Sequence, residues 1–148
     1  MMSANSSTMT DELLSEAICE AAVNKAIDKA HLLGVAVSIA VLDAGGHLLR
    51  LVRMDGIHAG TVEISQAKAR CAVMFKRPTK AFAQSYAAGT TSLIALPGVV
   101  PFEGGVPIMM EGCLLGAIGC SGASPEQDGE IAMTGLIAIQ AVWEKPHD

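Results

Sequence analysis

The sequence predicts a single α/β domain in which helices cover both faces of an antiparallel sheet. Two hairpin patterns supply the strands, because each consists of two extended apolar runs joined by a short turn that contains glycine. Stretches with apolar residues at the helical period supply the helices. The first extended run is apolar or small on both faces, with Val35, Val37, Ile39 and Val41 opposite Ala36, Ala40 and Leu42. We therefore expect three layers, with helices on each side of the sheet.

The composition limits the classes of function. A chain of 148 residues has the usual length of one domain. Hydrophobic residues make up 51% and charged residues 17%, below the roughly 25% typical of soluble domains, so we expect copies of the chain to associate. The net charge of −5 argues against nucleic acid as a partner. No apolar run reaches the roughly 18 to 20 residues that span a membrane.

The first ten residues are polar and lack the cationic and apolar regions of a secretory signal. The sequence therefore predicts a cytoplasmic protein. Residues 1–10 are expected to form a disordered tail and residues 11–148 a single domain.

In chain order, the first predicted element is a long amphipathic helix from Asp11 to the stop at Gly34, with Thr8 as a candidate cap. A hairpin follows, with strands at residues 35–42 and 47–53. Residues 61–76 form the next predicted helix, which places Ile64, Ala67, Cys71, Met74 and Phe75 on one side and ends before Pro78.

A weaker helical pattern covers residues 80–87, and residues 88–105 are expected to form a long ordered loop. The second hairpin has strands at residues 106–110 and 113–121, and its glycines Gly116 and Gly119 indicate close approach of a ligand or another backbone. Ser124, Pro125 and Gln127 have the spacing of a capping box with proline in the first turn, which predicts the start of the closing helix.

Three segments together resemble the GlcG/HbpS-like family, which includes the C-terminal domain of PduO-type corrinoid adenosyltransferases. They are the VLDAGGHL run at residues 41–48 with RMDG at 53–56, QAKA at 66–69, and GGVP at 104–107 followed by GAIGCSG at 116–122. The resemblance covers roughly residues 13–140. It implies a profilin-like fold with a five-stranded antiparallel sheet, and assembly into homo-oligomers of four to eight subunits. It also implies binding of haem or a corrinoid, or a link to glycolate or diol catabolism.

Haem binding needs an apolar slot, an axial iron ligand and cationic groups for the propionates. His58, two residues beyond the Gly56 turn, is the preferred candidate for the axial ligand, although a lone histidine in a loop is more often simply exposed. His31, His47 and His147 rank lower, and Met54 is either another ligand or an apolar plug.

Lys68 shares a helical stripe with Ile64, Cys71 and Phe75, so its ammonium must reach solvent or a carboxylate. Asp55 is the expected partner, either in a structural ion pair or in a ligand-facing one. In the second case Arg53 and Lys68 bind a carboxylate or phosphate while Asp55 orients Lys68.

Gly104 and Gly105 either form a tight turn, which we favour, or expose backbone N–H groups to an anion. The four cysteines, which lack any CxxC pair, are expected to be buried reduced thiols: Cys19, Cys71, Cys113 and Cys120. No hydrolase or nucleotide-binding motif is present.

Three hypotheses remain open from the sequence. The first is an accessory protein that binds haem or a related tetrapyrrole in a pocket lined by Arg53, Met54, Asp55, His58, Lys68, Phe75, Gly104 and Gly105. The second is an enzyme in which Lys68 and Asp55 act on a carboxylate-bearing substrate. The third is a structural assembly partner without a ligand.

Overall fold

The computed structural model describes residues 11–144 of the chain. The predicted N-terminal tail, with Thr8, and the last four residues with His147 lie outside this range. Residues 11–13 are helical. Four further α-helices, a 3₁₀ turn and four strands follow in the order α1 Glu16–Leu33, β1 Ser38–Asp43, β2 Leu48–Arg53, α2 Gly60–Phe75, α3 Thr79–Ala87, the 3₁₀ turn Thr91–Ala95, β3 Gly105–Met110, β4 Cys113–Ser121 and α4 Pro125–Trp143.

The strands form one antiparallel sheet in the order β2-β1-β4-β3. The two predicted hairpins are therefore confirmed, and β1 pairs with β4 to join them. The expected fifth strand is wrong, since the sheet of the described residues has four. The loop that leads into β3 carries Pro97 and Pro101, and proline has no N–H to contribute to a ladder.

Helices cover both faces of this sheet, as predicted from the apolar and small residues on both faces of the first strand. One face packs against α1 and α4 and contains the larger core, which includes Val23, Ile39, Ile118, Ile131 and Ile139. The other face packs against α2 in a smaller core of Leu42, Ala69, Ala72, Val73 and Ala117. None of the helices between residues 11 and 144 is both long and apolar enough to cross a membrane.

Two helix starts are set by capping side chains. The long first helix begins at Glu16, not at Asp11, because Ser15 lies outside helical geometry and its side chain accepts a hydrogen bond from Ile18 N at 3.3 Å. The predicted capping box at the start of α4 is confirmed, with Ser124 and Gln127 bonding reciprocally.

The buried face of α2 differs from the predicted one. Ile64 and Met74 are 41% and 53% exposed, whereas Ser65, Lys68 and Ala69 are buried. The reason lies in β4, because a Cβ atom on Gly119 would overlap the carbonyl oxygen of Ser65 and come within 2.8 Å of Ala69 N. The backbone of α2 therefore lies directly on the sheet, and only small residues fit between them.

The cysteines are free, as predicted, but only three of them are buried. Cys19, Cys71 and Cys120 lie in the core, and Cys113 at the start of β4 is half-buried. Burial raises the pKa of the Cys19 thiol to about 11, although the nearby Arg50 partly opposes the shift. Burial likewise raises the pKa of Cys71. These thiols stay protonated near neutral pH.

The contact between Gly119 and α2 gives a first prediction. We expect Gly119→Ala to lower the free energy of unfolding by more than about 2 kcal/mol, because the added methyl group has no space beside the backbone of Ser65. Urea unfolding followed by circular dichroism measures the change. Gly60→Ala, at the first residue of α2, is the matched control and should change stability by less than about 1 kcal/mol. Equal effects of the two substitutions would contradict the proposed contact.

The thiols give a second prediction. With a disulfide reagent at pH 8, we expect one thiol of the native protein, Cys113, to react within minutes, and all four after denaturation. At this pH about one Cys19 side chain in a thousand is ionised, given its pKa of about 11. Cys113→Ser should remove the fast reaction. A second fast thiol in native Cys113→Ser would show that the core thiols are accessible.

Candidate functional site

Six of the eight residues predicted to form one pocket line three different pockets. Lys68 lines a pocket of about 430 Å³, called here the apolar pocket, whose walls are Ile64, Ala67, Val100, Phe102, Ala123 and Pro125. Gly104 and Gly105 line a second pocket of about 400 Å³ beside Glu103 and Met133. Arg53, Met54 and Asp55 line a third of about 330 Å³ with Ile27, His31 and Val52, called here the His31 pocket.

Lys68 makes a buried ion pair, but its partner is Asp128 in α4. The Nζ atom lies 3.0 Å from Asp128 Oδ2 and donates a second hydrogen bond of 3.0 Å to the carbonyl oxygen of Cys120. Both charged side chains are 4% exposed. The predicted pairing with Asp55 is wrong, because Asp55 is exposed in the turn after β2 and lines a different pocket.

Gly104 and Gly105 provide the space that Lys68 needs. Gly104 has a φ of +135°, and a Cβ atom there would come within 2.8 Å of Lys68 Nζ and 2.5 Å of the Cys120 carbonyl oxygen. The N–H of Gly105 donates to Thr79 Oγ1 at 2.9 Å. The glycine pair therefore lets the lysine approach the backbone closely, and the Gly105 N–H is used within the protein.

Asp128 is held by several donors at the start of α4. Its Oδ1 atom accepts a hydrogen bond of 2.9 Å from Ala123 N while Oδ2 receives the Lys68 ammonium. Burial raises the pKa of this carboxyl above its ordinary value, and Lys68 and the Ala123 N–H oppose the shift. Burial, and then the charge of Asp128, raise the pKa of the neighbouring Cys120 thiol well above its ordinary value, so Cys120 is not an activated nucleophile.

The apolar pocket has a polar floor. Besides Lys68 and Asp128, the floor contains Ser121, the last residue of β4. Phe102 and Ile64 lie at the rim and are 56% and 41% exposed. The predicted ordered loop before β3 supplies Val100 and Phe102 to this pocket.

The His31 pocket combines an imidazole, a guanidinium and apolar side chains. His31 lies in the last turn of α1, is exposed, and makes no side-chain hydrogen bond to another described residue. Arg53 donates through Nε and Nη2 to the carbonyl oxygen of Ile57 at 3.0 and 2.7 Å. Val37 N donates a hydrogen bond of 3.4 Å to the sulfur of Met54, so this sulfur is engaged within the protein.

Two predicted residues lie outside these walls. His58 is exposed in the turn before α2, where its carbonyl oxygen accepts a hydrogen bond from Thr61 Oγ1 at 2.8 Å. Phe75 packs edge-on against Phe82, with ring centroids 5.2 Å apart. Within residues 11–144, no group of three or more His, Cys, Asp and Glu side chains is placed to hold a metal ion.

Asp128 and Ser121 were not among the site residues predicted from the sequence, and His31 ranked low there. A signal for Asp128 was present, since it lies three, four and eleven residues before the buried Ile131, Ala132 and Ile139 on the inner face of α4. A carboxylate on an apolar face needs a buried cation as its partner, and the sequence already indicated that Lys68 needs a carboxylate or solvent. The two residues could therefore have been paired. No comparable signal exists for Ser121.

Proteins of known family resemble this chain over most of its length. Residues 14–137 match the model of the family described as "Haem degrading protein HbpS-like". Protein GlcG of Escherichia coli K12 is 38% identical over 112 residues, which cover 76% of this chain and 84% of GlcG.

Solved structures show the same similarity. Klebsiella pneumoniae protein ORFY has a TM-score of 0.80 at 29% identity, covering 86% of this chain and 90% of ORFY. The structure described as the PduOC:Heme complex has a TM-score of 0.74 at 30% identity, covering 82% and 91%.

The buried ion pair gives a third prediction. We expect Lys68→Met and Asp128→Leu each to lower the free energy of unfolding by about 3–5 kcal/mol, because each leaves an uncompensated buried charge. The double variant should lose less free energy of unfolding than the two single variants lose together. Urea unfolding of all three variants measures this coupling. Lys29→Met is the control, since Lys29 meets the exposed Glu130 at 3.8 Å and should change stability by less than about 1 kcal/mol. Additive losses in the double variant would rule out a coupled pair.

Proposed function

This chain belongs to the HbpS-like family, and we propose that it binds haem in the His31 pocket. The observation that carries the proposal is the exposed His31 imidazole, which makes no hydrogen bond to another described residue and shares its pocket with apolar walls and a guanidinium. The related PduOC domain, 30% identical, is known in complex with haem, which supports the choice of ligand.

The residues of this pocket fit the chemistry of haem. A neutral imidazole is a common axial ligand, and Ile27 and Val52 offer apolar contacts to the macrocycle. Haem would supply an iron atom when bound, and His31 would hold that iron. Its propionates need a cation, and Arg53 has five N–H groups of which the Ile57 carbonyl engages two. The remaining N–H groups of Arg53 make no hydrogen bond to another residue between 11 and 144, so they are available to a carboxylate.

The apolar pocket fits haem less well. Its walls contain no His, Met, Cys or Tyr among the lining residues, and its one cation, Lys68, is already paired with Asp128. The His31 pocket also has an acid, Asp55, so a propionate is expected on the Arg53 side. Iron ligation by His58, which the sequence favoured, stays a prediction that the same experiment tests.

The other hypotheses from the sequence receive less support. An enzyme in which Lys68 and Asp55 act on one substrate needs the two side chains together, and they line separate pockets. A corrinoid ligand, the link to diol or glycolate catabolism, assembly into four to eight subunits and a cytoplasmic location stay predictions.

The test is a titration of the full-length protein with haemin, followed by the Soret band. We expect saturable, stoichiometric binding that His31→Ala weakens at least tenfold, since the iron loses its axial ligand. His47→Ala is the matched control, because His47 is also exposed but lies in the β1–β2 turn beside Asp43. These exposed substitutions should leave the fold intact.

The outcomes separate the candidates. If His58→Ala weakens haem binding and His31→Ala does not, the iron ligand is His58, in the turn before α2. Absence of saturable binding, or equal affinity in all variants, would overturn the haem proposal.

A further inference from the structure

We infer that the apolar pocket is a second binding site, for a small neutral molecule that has an apolar body and one hydrogen-bond-accepting oxygen, such as a ketone, aldehyde or amide. This site goes beyond the proposed haem function and shares no lining residue with the His31 pocket.

The first argument is an unpartnered hydroxyl at the floor. Ser121 is 6% exposed and lines the pocket, and no described residue forms a hydrogen bond with its side chain. The hydroxyl oxygen is not among the fully enclosed polar atoms that lack a partner, so it is open to the pocket and available to a ligand. Ser38 of β1 lies directly opposite Ser121 in the sheet. By contrast, its hydroxyl forms a hydrogen bond of 2.9 Å with Thr61 Oγ1.

Lys68 supplies a second free donor at the floor. Its ammonium has three N–H groups, and the described residues accept two of them through Cys120 O and Asp128 Oδ2. Lys68 and Ser121 both line the pocket, and we expect the third N–H and the Ser121 O–H to be available to an incoming oxygen. The floor is therefore built to bind an acceptor.

The charges of the pocket select a neutral ligand. Lys68 and Asp128 are the two charged side chains among its lining residues, and they neutralise each other at 3.0 Å. An anion would have to compete with Asp128 for the ammonium, and a cation would meet the ammonium itself. A neutral carbonyl oxygen needs only the two donors.

The walls select an apolar body. Val100 and Phe102 come from the loop before β3, and Ile64 and Ala67 from α2. A volume of about 430 Å³ lies within the range of small-molecule sites. Phe102 and Ile64, exposed at the rim, are placed to cover a ligand of this kind.

The experiment titrates the full-length protein with acetophenone, benzoate and toluene, followed by ¹H–¹⁵N correlation spectra. These probes share a ring and differ in carrying a neutral carbonyl, a carboxylate or no oxygen. We expect saturable shifts with acetophenone at residues of the apolar pocket, and weaker binding of both other probes. Ser121→Ala should weaken acetophenone about three- to tenfold, the effect of one hydrogen bond, and leave toluene unchanged.

Two further variants complete the design. Ala67→Phe fills the pocket from the half-buried face of α2 and should abolish binding of acetophenone even if Ser121→Ala proves unstable. Ser92→Ala, an exposed serine of the 3₁₀ turn, is the matched control and should bind as the wild type does.

The inference is overturned if acetophenone shows no saturable binding, if Ala67→Phe or Ser121→Ala leaves its affinity unchanged, or if benzoate or toluene binds as tightly. Because His31→Ala should not alter acetophenone binding, failure here is distinguishable from failure of the haem proposal. Loss of acetophenone binding in His31→Ala would also contradict two separate sites.

Discussion

The arrangement of the layers depends on one buried ion pair. Lys68 belongs to the helix on one face of the sheet and Asp128 to a helix on the other, so their contact joins the two layers at the start of β3. The Lys68 side chain can reach from one layer to the other only because Gly104 and Gly105, which it passes closely, have no side chains. The backbone carbonyl of Cys120 and the N–H of Ala123 complete the hydrogen bonds of the pair, which offsets part of the cost of burying two charges.

The apolar pocket lies where the Lys68 side chain reaches Asp128. The lysine stem, the first turn of α4 and the end of β4 meet at this point, and the loop before β3 covers it with Val100 and Phe102. On the far edge of the sheet, β2 has no neighbour beyond β1, and the end of α1 lies beside it to form the His31 pocket. The two sites therefore differ in chemistry: one offers hydrogen-bond donors in a neutral setting, and the other an imidazole and a guanidinium.

The elements with strong local signals were predictable. The glycine turns gave both hairpins, and Ser124, Pro125 and Gln127 gave the start of α4. The face of α2 was not predictable from apolar periodicity, because glycines in β4 bring its backbone onto the sheet and small residues become the buried ones. The partner of Lys68 was misassigned for a related reason: Asp55 is near in sequence, but Asp128, sixty residues away, is near in space.

The sequence by itself determined the class of fold, the order of its helices and hairpins, and the family to which the chain belongs, since these depend on local patterns and motifs. The tertiary structure alone decided which charges pair, that the sheet has four strands, and that the candidate ligand residues divide among separate pockets. The physical reason is that burial and pairing of polar groups depend on which segments meet across the sheet. The spacing of residues along the chain does not specify which groups lie next to Lys68, Ser121 or His31 in the fold.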